Sequence, residues 1–176
     1  VPNVYKNIKK SIKKKLRVEI KELKQLNLKK ILKIEVNTKQ VGSDRLANAI
    51  SVINNKDNFI ILDFGTATTF DVVLKNRYKG GIIAPGVNLS LKTLVEKAKL
   101  IPNTKLSKIN NIIGKNTQNA VKSGFYWGYQ GLIKNLINLI EKKNKKKFKI
   151  IFTGGLSHLY KNTIKKKIKV DKDLTI

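Results

Sequence analysis

Asn58-Phe59-Ile60-Ile61-Leu62-Asp63-Phe64-Gly65-Thr66-Ala67-Thr68-Thr69-Phe70-Asp71 is the stretch on which the reading of this chain turns. Ile60, Ile61 and Leu62 form the continuous apolar run of a core strand. A carboxylate, a glycine and hydroxyls follow, and then a second strand-like run. Gly65 permits a tight reversal or a close backbone approach. Thr66, Thr68 and Thr69 place hydroxyls and N–H groups around that turn. Backbone donors on a hairpin, hydroxyls beside them and one acid to hold a cation make a phosphate cradle without a P-loop. Threonine also favours strands in its own right, so a plain Thr-rich hairpin fits the same residues.

Upstream of the hairpin, Val4, Ile8, Ile12 and Leu16 recur every four residues and predict an amphipathic helix. Residues 17–30 are polar and Lys-rich with weak periodicity and carry no assignment. Ile31 to Val36 read as a strand. Ser43 caps a predicted helix from Asp44 to Ile53 with an apolar face of Leu46, Ala49, Ile50 and Ile53. Downstream, the second strand runs to Leu74, and Lys75-Asn76-Arg77-Tyr78 reads as a hairpin connection. Gly80 to Gly86 is a short buried strand, and Leu89 to Ala98 is a helix. Residues 99–115 are irregular around Pro102. Asn116 caps a long helix reaching Lys142, with a face of Ala120, Val121, Phe125, Leu132, Leu136, Leu139 and Ile140. Gly124, Gly128 and Gly131 inside it imply close packing against a crossing helix or a second subunit, or else a locally weak helix. Phe148 to Phe152 is another strand, ending in Thr153-Gly154-Gly155 before a helix from Ser157. Strands and helices alternate around a β-hairpin, so the class is α/β with a mixed sheet flanked by helices.

The chain has 176 residues, enough for a substantial core, and no Cys or Met. Disulfides and thiolate metal sites are excluded. No apolar stretch is long enough to cross a bilayer and no secretory signal opens the chain. The net charge is +27, from 38 Lys+Arg against 11 Asp+Glu. Arg17, Arg45 and Arg77 are the only arginines, and aromatics are not interleaved with the basic runs. Arginine is the better phosphate and base reader, and stacking platforms need aromatics. Lys13–Lys15, Lys145–Lys147 and Lys165–Lys167 are therefore read as solvated helix ends and connections rather than a nucleic-acid face.

Four motifs stand in order: Gly42-Ser43-Asp44-Arg45; Asp63-Phe64-Gly65-Thr66-Ala67-Thr68-Thr69; Gly80-Gly81 with Ala84-Pro85-Gly86; and Thr153-Gly154-Gly155. Gly114-Lys115-Asn116-Thr117 lies between the last two. The ordered set resembles type III pantothenate kinase, in the superfamily of actin, sugar kinases, acetate kinases and heat-shock ATPases. The resemblance runs from Val1-Pro2 to Asp173-Leu174-Thr175. It implies a ribonuclease H-like (actin-like ATPase) fold. Residues 1–40 would be the remainder of an N-terminal ATPase-like subdomain, and residues 41–176 the C-terminal ATPase-like domain. The family opens with Asp-x-Gly-Asn-Thr, and nothing here matches it, so the chain is expected to be an interior fragment lacking the first strands. Glu35 stands where the family often has an aromatic residue.

The resemblance also implies roles. The reaction is phosphoryl transfer from ATP to the primary hydroxyl of pantothenate, the first step of coenzyme A biosynthesis. Asp44 would be the general base, and an Asp in a first helical turn also serves as a plain cap. Arg45 would pair a substrate carboxylate or amide oxygen, or else an ordinary surface acid. Gly42, Ser43, Asp44, Arg45 and Thr117 would contact pantothenate. Gly65 and Thr66 would meet ATP phosphate, and Thr153, Gly154 and Gly155 the adenosine. Asp63 would help bind a monovalent cation, K+ or NH4+, with Mg2+ arriving on ATP. Gly80, Gly81, Pro85 and Gly86 would shape the pocket wall. His158 reads as a surface helix residue. The family is a cytoplasmic homodimer, and the helix from Asn116 resembles the segment that builds the dimer, with Phe125, Tyr126, Trp127 and Tyr129 fitting an aromatic interface.

Overall fold

A computed structural model describes residues 2–16 and 18–175, with side chains from residue 6 onward. Helix α1 (Pro2–Leu16) opens the chain. Two 3-10 turns (Leu23–Gln25 and Leu28–Lys30) lead to β1 (Lys33–Ile34) and α2 (Ser43–Ser51). Then come β2 (Asn58–Phe64), β3 (Ala67–Leu74), β4 (Arg77–Pro85), α3 (Val87–Lys97), α4 (Thr117–Asn144), β5 (Lys149–Gly154), α5 (Ser157–Tyr160) and β6 (Ile168–Val170).

The strands form one mixed sheet in the order β1-β4-β3-β2-β5-β6. The hairpin read from the sequence is the β2–β3 pair, in register from Asn58↔Leu74 to Phe64↔Thr68. β3 and β4 continue antiparallel, while β2–β5, β5–β6 and β1–β4 are parallel. β2 lies inside the sheet, which is why its apolar residues run on without alternation: each face needs its own filling. Ile60, Leu62 and Phe64 join Phe70, Val72, Ile150, Phe152 and the inner side of α4 in one cluster. Phe59 and Ile61 point the other way and join Val73, Tyr78, Ile151 and Leu46, Ala49 and Val52 of the α2 region. This is a strand's two-residue period, and it puts Asp63 on the α2 side.

Several boundaries differ from the sequence expectation. β1 is two residues long rather than Ile31–Val36, because Ile31 still belongs to the preceding turn and lies exposed. Ser43 is the first residue of α2 and not its cap. Gly42 holds the cap position, with no side-chain cap bond. The β3–β4 connection is shorter than Lys75–Tyr78: Lys75, at φ 55°, and Asn76 suffice, and Arg77 already pairs with Leu74. β4 is long and alternates buried with exposed residues rather than being buried throughout.

Asn116 does cap α4, its Oδ1 accepting from Asn119 N at 2.8 Å. The inner face of α4 is Ser123, Tyr126, Ile133, Ile137 and Ile140. Of the face read from the sequence only Ile140 is buried, and Leu139 is exposed. The helix is apolar on more than one side, so period alone did not choose the core side. A Cβ at Gly124, Gly128 or Gly131 would meet nothing within 4 Å, so none of the described helices crosses tightly there. Each glycine costs about 1 kcal/mol against alanine. Burying each of Ile133, Ile137 and Ile140 returns roughly 1.5–3 kcal/mol, which is enough to keep the helix continuous.

On α1 the helix stands as expected, but Ile8, Ile12 and Leu16 are exposed. The side chain of Val4, like Val1 and Arg17, lies outside the described residues. Lys13–Lys15 and Lys145–Lys147 are exposed at helix ends, and Lys166 pairs with Glu141. No described helix is long and apolar enough to cross a membrane.

Candidate active site

The site is built where the carboxyl ends of two parallel neighbours, β2 and β5, meet the start of α2. In register, Asp63 stands beside Thr153 and Phe64 beside Gly154. The Gly65–Thr66 turn and the Gly154–Gly155 loop therefore emerge side by side. Gly65 N donates to Ala67 O at 3.1 Å and closes the turn, leaving Gly65 and Thr66 exposed. Gly154 has φ +81°, and a Cβ there would lie 2.6 Å from Asp63 Oδ1 and 2.7 Å from Phe64 N. Only glycine lets the β5 end pass so close to the acid. Gly155 is exposed, and nothing lies within 4 Å of its Cβ direction. Thr153 is buried, its hydroxyl 3.5 Å from Lys172 O.

Helix α2 covers this end of the sheet and brings two polar side chains onto two strand carboxylates. Asn48, fully buried, donates from Nδ2 to Asp63 Oδ2 at 3.4 Å and accepts from Thr175 Oγ1 at 2.7 Å. One turn earlier, Arg45 donates from Nε to Asp71 Oδ1 at 2.8 Å, with Nη2 2.7 Å from the same oxygen. Asp71 is fully buried and also accepts from Tyr78 OH at 2.6 Å. Ser43 and Asp44, in the first turn, stay exposed. Gly42 precedes them, and a Cβ there would fall 2.2 Å from Asp44 Oδ1.

Burial holds the Asp63 carboxyl above the usual carboxylate range. The Asn48 amide opposes this, and the negative charge of Asp44 reinforces it. Asp44 is thus close enough to be felt at Asp63 and, in the same sense, at Asp71. Burial likewise pushes the Asp71 carboxyl up, against the pull of Arg45 and Tyr78. Thr69 faces Asp63 across the β2–β3 register, and its buried Oγ1 has no hydrogen-bond partner among the described residues. A half-buried carboxylate beside free oxygen ligands suits a hard cation better than a soft one.

The structure therefore brings together Gly42, Ser43, Asp44, Arg45, Asp63, Gly65, Thr66, Thr153, Gly154 and Gly155. Thr117 stands apart. It is exposed at the first turn of α4, which packs on the opposite face of the sheet, and no described hydrogen bond joins it to the α2 group. Glu35 pairs with Arg77 and Lys79. His158 is exposed on α5. Asn48, Asp71 and Tyr78 were not singled out from the sequence. The signal was present: Asn48 is one helical turn after Asp44, and Asp71 continues the two-residue alternation from Thr69.

Comparison with known proteins gives the same direction. The family model described as type III pantothenate kinase matches residues 1–139. The Pelagibacter ubique type III pantothenate kinase is 61% identical over all 176 residues, which span 71% of its length. The Sulfurihydrogenibium enzyme is 44% identical over 158 residues, covering 88% of this chain and 62% of that protein. A Campylobacter jejuni structure described under the Baf family of transcriptional activators superposes with a TM-score of 0.61 at 25% identity, covering 87% of this chain and 70% of that one. A Sinorhizobium meliloti structure described as a 2-dehydro-3-deoxygalactonokinase shares the fold, with a TM-score of 0.52 at 9% identity and coverage of 76% and 55%. An identity of 61% along the whole chain, together with a family model matched through α4 up to Leu139, leaves one assignment: the chain belongs to the type III pantothenate kinase family.

Proposed function

We propose that the full-length protein transfers a phosphoryl group from ATP to the primary hydroxyl of pantothenate, giving 4'-phosphopantothenate. The observation that carries this reading is the Asn48–Asp63 bridge, which fastens α2 to the strand end from which the Gly65–Thr66 turn emerges; the exposed Asp44 of its first turn is near enough for its charge to act on Asp63. Such a transfer needs positioning and charge neutralisation more than covalent chemistry. Asp44 accepts the hydroxyl proton, and its exposure suits a base that must meet a substrate. Gly42, Ser43 and Arg45 hold pantothenate, whereas Thr117, on the opposite face of the sheet, is left without a role in this site. The amide and hydroxyl of Thr66 meet phosphate oxygens, and Gly65, whose own N–H closes the turn, lets the phosphate approach the backbone. Thr153, Gly154 and Gly155 leave open backbone for the adenosine. Magnesium supplies charge neutralisation when bound with ATP. Asp63, with the hydroxyl of Thr69, fits a monovalent cation, potassium or ammonium.

In this reading residues 1–40 are the remainder of an N-terminal ATPase-like half and residues 41–176 its C-terminal counterpart. The exposed apolar side chains of α1 fit a surface that is covered by a partner element, while Leu28 and Leu32 pack into the α2 core. The protein acts as a homodimer through α4, whose outer side borders a groove of about 460 Å³ lined by Pro85, Leu94, Val121, Phe125 and Tyr129. ATP consumption by the full-length protein should require both pantothenate and potassium or ammonium. Equal consumption without pantothenate would refute the assignment. A second reading, a non-catalytic relative acting in transcription, draws on the description of the Campylobacter jejuni protein. Pantothenate-dependent turnover would set it aside.

A further inference from the structure

The guanidinium of Arg45 lies in a slot made by three residues of β3 and β4. Asp71 forms its floor: it is fully buried, and its Oδ1 takes the Arg45 Nε and the Tyr78 hydroxyl together. Gly81 sits opposite Asp71 in the β3–β4 register. A Cβ at Gly81 would fall 2.6 Å from Arg45 Nη2 and 1.8 Å from the Phe70 carbonyl oxygen, so the missing side chain makes the space the guanidinium uses. A β-irregularity at Val72/Val73, beside Gly80 at φ +95°, sets Tyr78 under the slot. The Arg45 side chain is 13% exposed. One edge of the guanidinium is turned to Asp71: Nε donates to Oδ1, and Nη2 lies 2.7 Å from the same oxygen, buried and without a hydrogen bond of its own among the described residues, while Nη1 has no described hydrogen bond.

We propose that Asp71, with Tyr78 and Gly81, is a positioning residue for pantothenate recognition: it locks one edge of Arg45 so that the other meets the substrate. This rests on the reading of Arg45 as a substrate group. A long, flexible arginine loses rotamer freedom on binding, and a fixed guanidinium has already lost it. The Tyr78 hydroxyl is held protonated, its pKa pushed up by burial and by the Asp71 charge, so it remains a donor to the carboxylate. Asp71 Oδ2 is buried without a partner among the described residues. The carboxylate is therefore over-committed to Arg45 and Tyr78 through a single oxygen.

The test is a double-mutant cycle in the full-length protein. Asp71→Asn keeps the shape and one acceptor but removes the charge. It should raise the KM for pantothenate roughly tenfold or more, the scale of one charge-assisted hydrogen bond. The KM for ATP and kcat should stay within about threefold, as expected when ground-state binding alone is weakened. Tyr78→Phe should show the same pattern more weakly. In an Arg45→Ala background, Asp71→Asn should add less than about twofold, because the residue acts through Arg45. A fall in kcat with an unchanged pantothenate KM, or an equal loss in both backgrounds, would overturn the proposal. If Arg45→Ala leaves pantothenate kinetics unchanged, the substrate reading of Arg45 fails, and thermal unfolding decides about the slot. Removing Arg45 leaves a buried carboxylate without its cation, so the double variant should melt above Arg45→Ala alone. A double variant that melts lower would overturn the pairing.

Discussion

Asp44 and Asp63 carry the same charge on the same side of the sheet, but their surroundings separate their roles. Asp44 is exposed in the first turn of α2 and has no hydrogen bond or ion pair among the described residues. Asp44→Ala should therefore leave the melting temperature nearly unchanged while cutting turnover by about 100-fold or more, the usual scale for a lost general base. Normal turnover in that variant would remove Asp44 from the role. Asp63 is half-buried, and burial raises its carboxyl above the ordinary value. A group raised in the folded state favours folding while it is protonated, and that contribution is lost as pH rises through the folded pKa. In buffer without potassium or ammonium, stability should fall as pH climbs from the ordinary carboxylate value upward. Asp63→Asn keeps an acceptor for Asn48 and should flatten that slope, melting a few degrees above the parent at neutral pH. A melting profile of the variant that tracks the parent's would show that Asp63 is solvated.

At the scale of elements, α2 is fastened by two side chains one turn apart, Arg45 on Asp71 and Asn48 on Asp63. This places its first turn over the β2–β3 hairpin. Of the turn glycines here, Gly154 answers both to its positive φ and to the closeness of Asp63 and Phe64, whereas Gly65 and Gly155 have room for a side chain. Helix α4 holds the other face through Ile133 and Ile137, while Leu139 lies outside. Ile137→Ala should cost about 2–5 kcal/mol in urea unfolding, and Leu139→Ala under about 0.5 kcal/mol. Equal costs would mean the helix is rotated from its described position.

Across the whole molecule, a Cβ at any of the three α4 glycines would meet none of the described residues within 4 Å. If the groove beside them receives a second copy, Gly128→Arg should leave the far-ultraviolet circular dichroism spectrum intact, lower the melting temperature and shift the full-length protein from dimer to monomer in sedimentation. An unchanged dimer would place the interface elsewhere. The charge of +27 is spread over exposed lysines at helix ends and connections such as Lys13–Lys15 and Lys145–Lys147. Such residues contribute little to stability and respond mainly to salt.

Sequence alone determined the hairpin from Asn58 to Leu74, the mixed sheet, the cap at Asn116 and the order of the glycine-bearing motifs. All of these depend on neighbours within a few residues, where period, turn chemistry and capping act. It did not determine which side of α4 is inward, because Leu136, Leu139 and Ile140 are equally apolar. Nor did it reveal that Arg45 binds Asp71, 26 residues away. Those were decided by the tertiary structure: the sheet's register brings distant side chains to one spot, and burial there sets Arg45 on Asp71 and Asn48 on Asp63.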